Sequence, residues 1–237
     1  NPYKSDMWPL LKEEYFGSDA EIIFDENIKV IMQEVVEEAH EVSLVVKIPD
    51  YLKNTKDFLV FVDNNPIQLV TKIFPHRDIE AVGMNIRLET DSPVRAAIKS
   101  ENGKWYIGGT TVKVNSPGGC SLPACDPSIE KCTKAEIGRI TLRQYKRSAG
   151  SWRVKLQITH PMDTGLVTDL STGKNIPEYQ LKWVYFNDDK GPVADAQTYG
   201  ALSANPVILI DLKDPVNNLY INATDSKGLS FGTIFTN

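Results

Sequence analysis

The sequence predicts an all-β protein: two immunoglobulin-like antiparallel β-sandwich domains, with a short N-terminal helix and a cysteine-bearing linker arm. Three observations predict it. Apolar residues alternate with polar ones along many short segments, as in Val42, Leu44, Val46 and Ile48, or Trp152, Val154, Leu156 and Ile158; a period of two is that of a strand with one buried face. Turn residues punctuate those segments, and no stretch after Gly17 keeps helical periodicity beyond two turns. At 237 residues the chain suits two domains of about 110 residues each.

Composition narrows the classes. With 41% hydrophobic and 24% charged residues the chain reads as an ordinary globular protein. Its net charge of −5 and lack of a basic stripe argue against nucleic acid as a partner. No apolar run approaches the roughly 20 residues of a membrane span. The sequence begins at Asn1, which fits a mature exported protein whose signal peptide has been removed, and equally a trimmed chain.

In chain order, the first seventeen residues predict the helix. Ser5 or Asp6 can cap it, Pro9 is tolerated only near its start, and Gly17 stops it. Trp8, Leu11 and Tyr15 fall on one face, which packs on the first sheet. Strands are then expected at 22–24, 28–32, 42–48, 58–62, 68–74, 84–88, 94–98 and 105–114, with Asn102-Gly103 as a two-residue hairpin turn. The acidic group Glu34, Glu37, Glu38 and Glu41 reads as a solvated turn, since it lacks the ligand spacing of a calcium loop. The second sandwich takes Ile140 and Leu142, then 152–158, 181–186, 207–212, 219–223 and 229–235. The predicted organisation is a first sandwich over 1–115, a Gly/Pro/Cys-rich arm over 116–134 and a second sandwich over 135–237.

All three cysteines lie in the arm, at Cys120, Cys125 and Cys132. Pro117, Pro123 and Pro127 oppose regular structure there, and Gly118 and Gly119 predict a bare, flexible approach to Cys120. An ordinary linker with a structural disulfide fits the same composition. Enzymatic signals are weak. His40, His76 and His160 are scattered and read as turn or surface residues rather than bases for a cysteine nucleophile. The cysteine spacing matches no familiar zinc knuckle, and there is no phosphate-binding glycine loop, so neither metal nor cofactor is expected.

Several motifs carry a family resemblance. The helix 8–17, the first sandwich, Val112-Lys113-Val114 and Gly118-Gly119-Cys120 occur in that order. His160-Pro161-Met162-Asp163-Thr164-Gly165, Ile176-Pro177 and Ser203-Ala204-Asn205-Pro206 follow. The chain resembles a fusion of SoxY with SoxZ, the two subunits of the sulfur carrier of thiosulfate oxidation, and the fused carriers associated with quinoprotein dehydrogenases. SoxY arms end in Gly-Gly-Cys-Gly-Gly, whereas this chain continues through Ser121-Leu122-Pro123 into a second domain.

The resemblance implies a periplasmic carrier without catalytic turnover of its own. Cys120 would hold sulfur-oxidation intermediates covalently, with Gly118 and Gly119 giving the arm its freedom. The implied partners are a heme-dependent conjugating enzyme, a thiosulfohydrolase and a sulfane dehydrogenase. The alternative is a thiol–disulfide or docking partner of a periplasmic quinoprotein dehydrogenase, in which the cysteines cycle or staple the linker. An oxidising compartment makes Cys125–Cys132 the expected disulfide and leaves Cys120 free and accessible; Cys120–Cys125 is the other pairing. Resemblance to an associated heterodimer also implies that the two sandwiches form a fixed pair.

Overall fold

The computed structural model describes residues 1–123 and 136–236. Helix α1 (Trp8–Phe16) is followed in the first half by β1 (Ile22–Phe24), β2 (Lys29–Ile31), β3 (Val35–Val36), β4 (Val42–Lys47), β5 (Asp57–Val62), β6 (Leu69–Pro75), β7 (Ile79–Ile86), β8 (Ser92–Lys99) and β9 (Trp105–Val114). The second half contributes β10 (Ile140–Lys146), β11 (Trp152–Ile158), β12 (Thr168–Asp169), β13 (Lys174–Asn175), β14 (Leu181–Asp188), β15 (Gly191–Thr198), β16 (Val207–Leu212), β17 (Leu219–Asp225) and β18 (Ser230–Phe235). The all-β class predicted from the alternation is the class observed.

The halves do more than touch. The larger sheet runs β1-β9-β8-β5-β6-β15-β14-β17-β18, with β3 also beside β9, and the smaller runs β10-β11-β16-β7-β4-β2. Both layers therefore cross the seam between the halves. In one, β6 pairs antiparallel with β15, Thr71 opposite Thr198 and Pro75 opposite Ala194. In the other, β7 pairs with β16, Met84 opposite Ile208. A single apolar core lies between the layers and draws on both halves, from Val42, Phe58 and Val82 to Val154, Val184 and Ile210. Two pairings depart from the antiparallel expectation: β1 and β3 each run parallel to β9.

Strand β5 shows why α1 sits where it does. Phe58, Val60 and Val62 face the core as the alternation predicts, yet Leu59 and Phe61 are buried too. They lie beneath the helix with Trp105, Ile107 and the fully buried Leu11. A strand covered on both faces reads as a continuous apolar run, which is what residues 58–62 are. The cap differs from expectation. Met7 occupies the N-cap without a side-chain bond, while the Ser5 hydroxyl accepts from the Met7 N–H at 3.1 Å, just outside the helix. Gly17 ends the helix at φ 86°, its N–H donating to the Glu13 carbonyl at 3.0 Å.

The Asn102-Gly103 turn is also longer than two residues. Ser100 N–H donates to the Lys104 carbonyl and Gly103 N–H to the Ser100 carbonyl, both at 2.9 Å, with Gly103 at φ 84°. This is a three-residue loop with glycine in the left-handed position. No helix among the described residues is long and apolar enough to cross a membrane.

Candidate functional site

Strand β9 leads straight to the cysteine. Its last residue, Val114, donates its N–H to the Asp91 carboxylate at 2.7 Å, and Asn115 donates its N–H to the Val36 carbonyl at 2.9 Å. Beyond Pro117 the chain makes a tight turn, closed by Leu122 N–H donating to the Gly118 carbonyl at 2.8 Å. Gly118 takes φ +106° there, a conformation that side chains on Cβ disfavour.

The expected loose arm is, through Leu122, docked. Gly118 N–H donates to the Glu89 carbonyl at 2.9 Å and Gly119 N–H to the Leu88 carbonyl at 3.0 Å. Cys120 N–H donates to the Glu89 carboxylate at 3.0 Å, and the Ser121 hydroxyl donates to the other Glu89 oxygen. From the second half, the Thr164 hydroxyl donates to the Cys120 carbonyl at 2.8 Å. His40 closes the outer side, with Nδ1 2.7 Å from Glu38 and Nε2 3.2 Å from the Leu122 carbonyl.

The glycines serve closeness here. A Cβ on Gly119 would lie 2.2 Å from the Ala39 carbonyl oxygen and 2.5 Å from that of Leu88. Both are backbone atoms and cannot swing aside. Cys120 is a free thiol with 0% exposure, not the accessible one expected. Burial pushes its pKa up to about 12; Glu89 adds to the rise and Arg87 opposes it. Among the described residues no histidine hydrogen-bonds this thiol, so the histidine-activated nucleophile has no geometry to support it.

The seat is built from both halves. Residues 87–89 form its floor. Asn65 braces them, its amide donating to the Arg87 carbonyl and its oxygen accepting from Glu89 N–H, both at 2.8 Å. Arg87 is buried and reaches across the seam to backbone carbonyls of Met162, Pro161 and Gly200. Burial pulls its guanidinium below its ordinary pKa, while Cys120 and Asp163 oppose that shift. Burial raises the Asp163 carboxyl, against the pull of Arg87 and Lys227.

Two motifs of the second half shape these loops. Met162 stands at φ +52° and donates its N–H to His160 Nδ1 at 3.2 Å. Asn205, at φ +51°, donates its N–H to the His160 carbonyl at 2.8 Å and accepts from His160 N–H at 3.2 Å. The His160–Gly165 and Ser203–Pro206 segments thus hold each other, and Ser203 N–H anchors them to the Asn85 carbonyl at 3.0 Å.

The structure therefore brings Gly118, Gly119 and Cys120 to one place and adds Arg87, Glu89 and Thr164, which sequence reasoning did not single out. Thr164 lay inside a motif that was noticed. Arg87 and Glu89 lay at the polar positions of an alternating strand, where outward-facing side chains are expected; the strand ends at Ile86 and the chain turns them inward. Cys125 and Cys132, the expected disulfide, lie outside the described residues.

Comparison with known proteins adds to this geometry. A family model described as sulfur oxidation protein SoxY matches residues 12–120, ending at Cys120. One described as sulphur oxidation protein SoxZ matches residues 140–235. Among solved structures, the sulfur carrier protein SoxY from Chlorobium limicola f. thiosulfatophilum is similar at 18% identity and TM-score 0.41, over 47% of this chain and 99% of that one. A candidate superoxide reductase from Thermotoga maritima is similar at 13% identity and TM-score 0.35, over 40% and 96%. No curated protein matches.

Proposed function

This chain is a SoxY-family domain joined to a SoxZ-family domain, a fused sulfur-oxidation carrier, and from that premise we propose that it carries its intermediates covalently on Cys120. One observation supports this most. The last residue matched to SoxY is a free thiol, held at the seam by Thr164 of the SoxZ half. A carrier needs a group that both attacks sulfur and leaves from it, and a thiolate does both. The neighbouring Ser116 and Ser121 hydroxyls are too weakly acidic without a base.

Loading joins the Cys120 sulfur to the outer sulfur of thiosulfate. The thiol loses its proton, a sulfur–sulfur bond forms, and two electrons pass to a heme-dependent conjugating enzyme. The product is a cysteine bearing an –S–SO3⁻ group. A thiosulfohydrolase and a sulfane dehydrogenase would then act on it in the periplasm, with no turnover by the carrier itself. A quinoprotein dehydrogenase is the other candidate partner.

The test incubates parent and Cys120→Ser protein with thiosulfate and the conjugating enzyme and reads intact mass. The parent is expected to gain the adduct and the variant to gain none. Equal labelling of the two overturns the assignment.

A further inference from the structure

Cys120 is fully buried in its seat, and the two glycines before it are closely packed. Gly118 and Gly119 are wrapped by the Leu122 side chain and by the carbonyls of Ala39 and Leu88. The Cys120 side chain has no exposed surface. Its own N–H is bonded to the Glu89 carboxylate, so any anion placed on the sulfur would be buried beside a like charge. The nearby cation, Arg87, is already engaged by the carbonyls of Met162, Pro161 and Gly200. Turning it towards cargo would leave those carbonyls without their donor.

We infer that the seat discriminates by cargo: Glu89 and Thr164 hold the arm while Cys120 is a thiol and release it once the sulfur bears an anionic group. This rests on Cys120 being the loaded residue and adds how loading is signalled. The bonds that hold the arm run to backbone groups, the Glu89 carboxylate, the Thr164 hydroxyl and the His40 ring, all of which water can replace. A buried anion beside Glu89 would have only Arg87 to offset it, a cation already shared among three carbonyls. The loaded arm is thus presented outward and the discharged arm withdrawn. Glu89 is the discriminating residue, through its charge, and Thr164 is a positioning residue that fixes the Cys120 carbonyl.

Tetrathionate provides a test without any partner enzyme. The Cys120 thiolate attacks one of its central sulfurs, forms Cys–S–S–SO3⁻ and expels thiosulfate, so the reaction balances with no further oxidant. The full chain carrying Cys125→Ser and Cys132→Ser would be labelled, and amide hydrogen exchange followed over residues 116–123 by mass spectrometry. The thiol form should protect the Gly118, Gly119 and Cys120 amides. The adduct should lose that protection by tenfold or more, and reduction should restore it. In Glu89→Gln, whose amide can keep both contacts without the charge, the adduct should retain more protection than the parent adduct. Equal protection with and without the adduct overturns the inference, as does a thiol form with none. Failure of enzymic labelling would count against carriage, whereas this readout depends on chemical labelling alone.

Discussion

Two segments of the first half fold back onto the sandwich, and they are held by different forces. The N-terminal segment lies against the outer face of β5, β8 and β9. Leu11 is fully buried there, and Phe16 meets Trp105 at a ring distance of 4.9 Å and Tyr15 meets Phe61 at 5.3 Å. Arg95 fastens it, donating to both oxygens of Asp63 and to the Tyr3 carbonyl, with its charge 4.4 Å from the Trp8 ring centre. The arm, by contrast, buries Cys120 and leaves Leu122 54% exposed. Its anchors are hydrogen bonds, each worth a net of about 0.5–1.5 kcal/mol, or about 1.5–3 where the acceptor is the Glu89 carboxylate, because water competes for the same groups. A fully buried large apolar side chain is worth about 1.5–3 kcal/mol, and water offers it nothing in exchange. One segment is therefore a fixture and the other can be released.

The largest expected effect tests the fixture. Arg95 and Asp63 are both fully buried. Arg95→Ala leaves the Asp63 carboxylate without its cation and should cost about 3–5 kcal/mol in denaturant unfolding. The contrast breaks if any single arm substitution costs as much.

Gly119→Ala comes next. Overpacking a site usually costs about 1–3 kcal/mol, but the arm can escape by leaving its seat. Global stability should fall by less than that range, while alkylation of Cys120 under native conditions should rise by about tenfold, the equivalent of 1.4 kcal/mol of seat stability. A full loss of global stability with no gain in thiol reactivity would make the arm a fixture too.

Thr164→Val removes the donor to the Cys120 carbonyl and the acceptor of Leu166 N–H, and should weaken the seat by about 1 kcal/mol. The readout is a several-fold faster alkylation of Cys120 with an unchanged melting temperature. Unchanged alkylation would mean that the second half does not help to hold the arm.

The last effect is with pH, and it is the smallest only close to the ordinary thiol value. The seated Cys120 pKa is raised, to about 12, so the seat favours the neutral thiol. Its contribution is complete below the ordinary thiol value of about 8.5 and is lost as pH rises towards the seated value. Amide protection of residues 118–120, corrected for intrinsic exchange, should therefore decline above about pH 9. The amides of α1 should hold their protection up to about pH 10, above which Tyr15, whose phenol is raised chiefly by burial, begins to cost that segment in the same way. A flat profile at the arm would erase the difference in titration between the two segments.

Much of this molecule was legible because burial on one face writes itself as alternation. Strands β9 and β11 were bounded correctly at both ends. Strand β15 was missed. Its sequence opens with Gly191-Pro192 and buries Ala194 and Ala196, small residues with weak strand preference. It stands at the seam beside β6, where position comes from the other half of the chain rather than from local pattern. The site was half legible for a related reason. Gly118-Gly119-Cys120 announces itself, and its order after the sandwich carried the resemblance. The glycines were read for flexibility alone, whereas the same lack of a side chain also permits close approach to Ala39 and Leu88. Arg87 looks like a solvent-facing position until the loops of the second half cover it, and Glu89 until the arm folds onto it.

The shared sheets have a consequence for biogenesis. Strands β6 and β7 find their outer neighbours, β15 and β16, more than a hundred residues further on. While the second half is still being synthesised, the first half presents open strand edges in both layers, and such edges recruit other chains. Covalent fusion keeps the correct partner tethered at high effective concentration. The final pairing becomes an intramolecular event, fast against aggregation and fixed in stoichiometry, so that each cysteine arm emerges with one seat of its own.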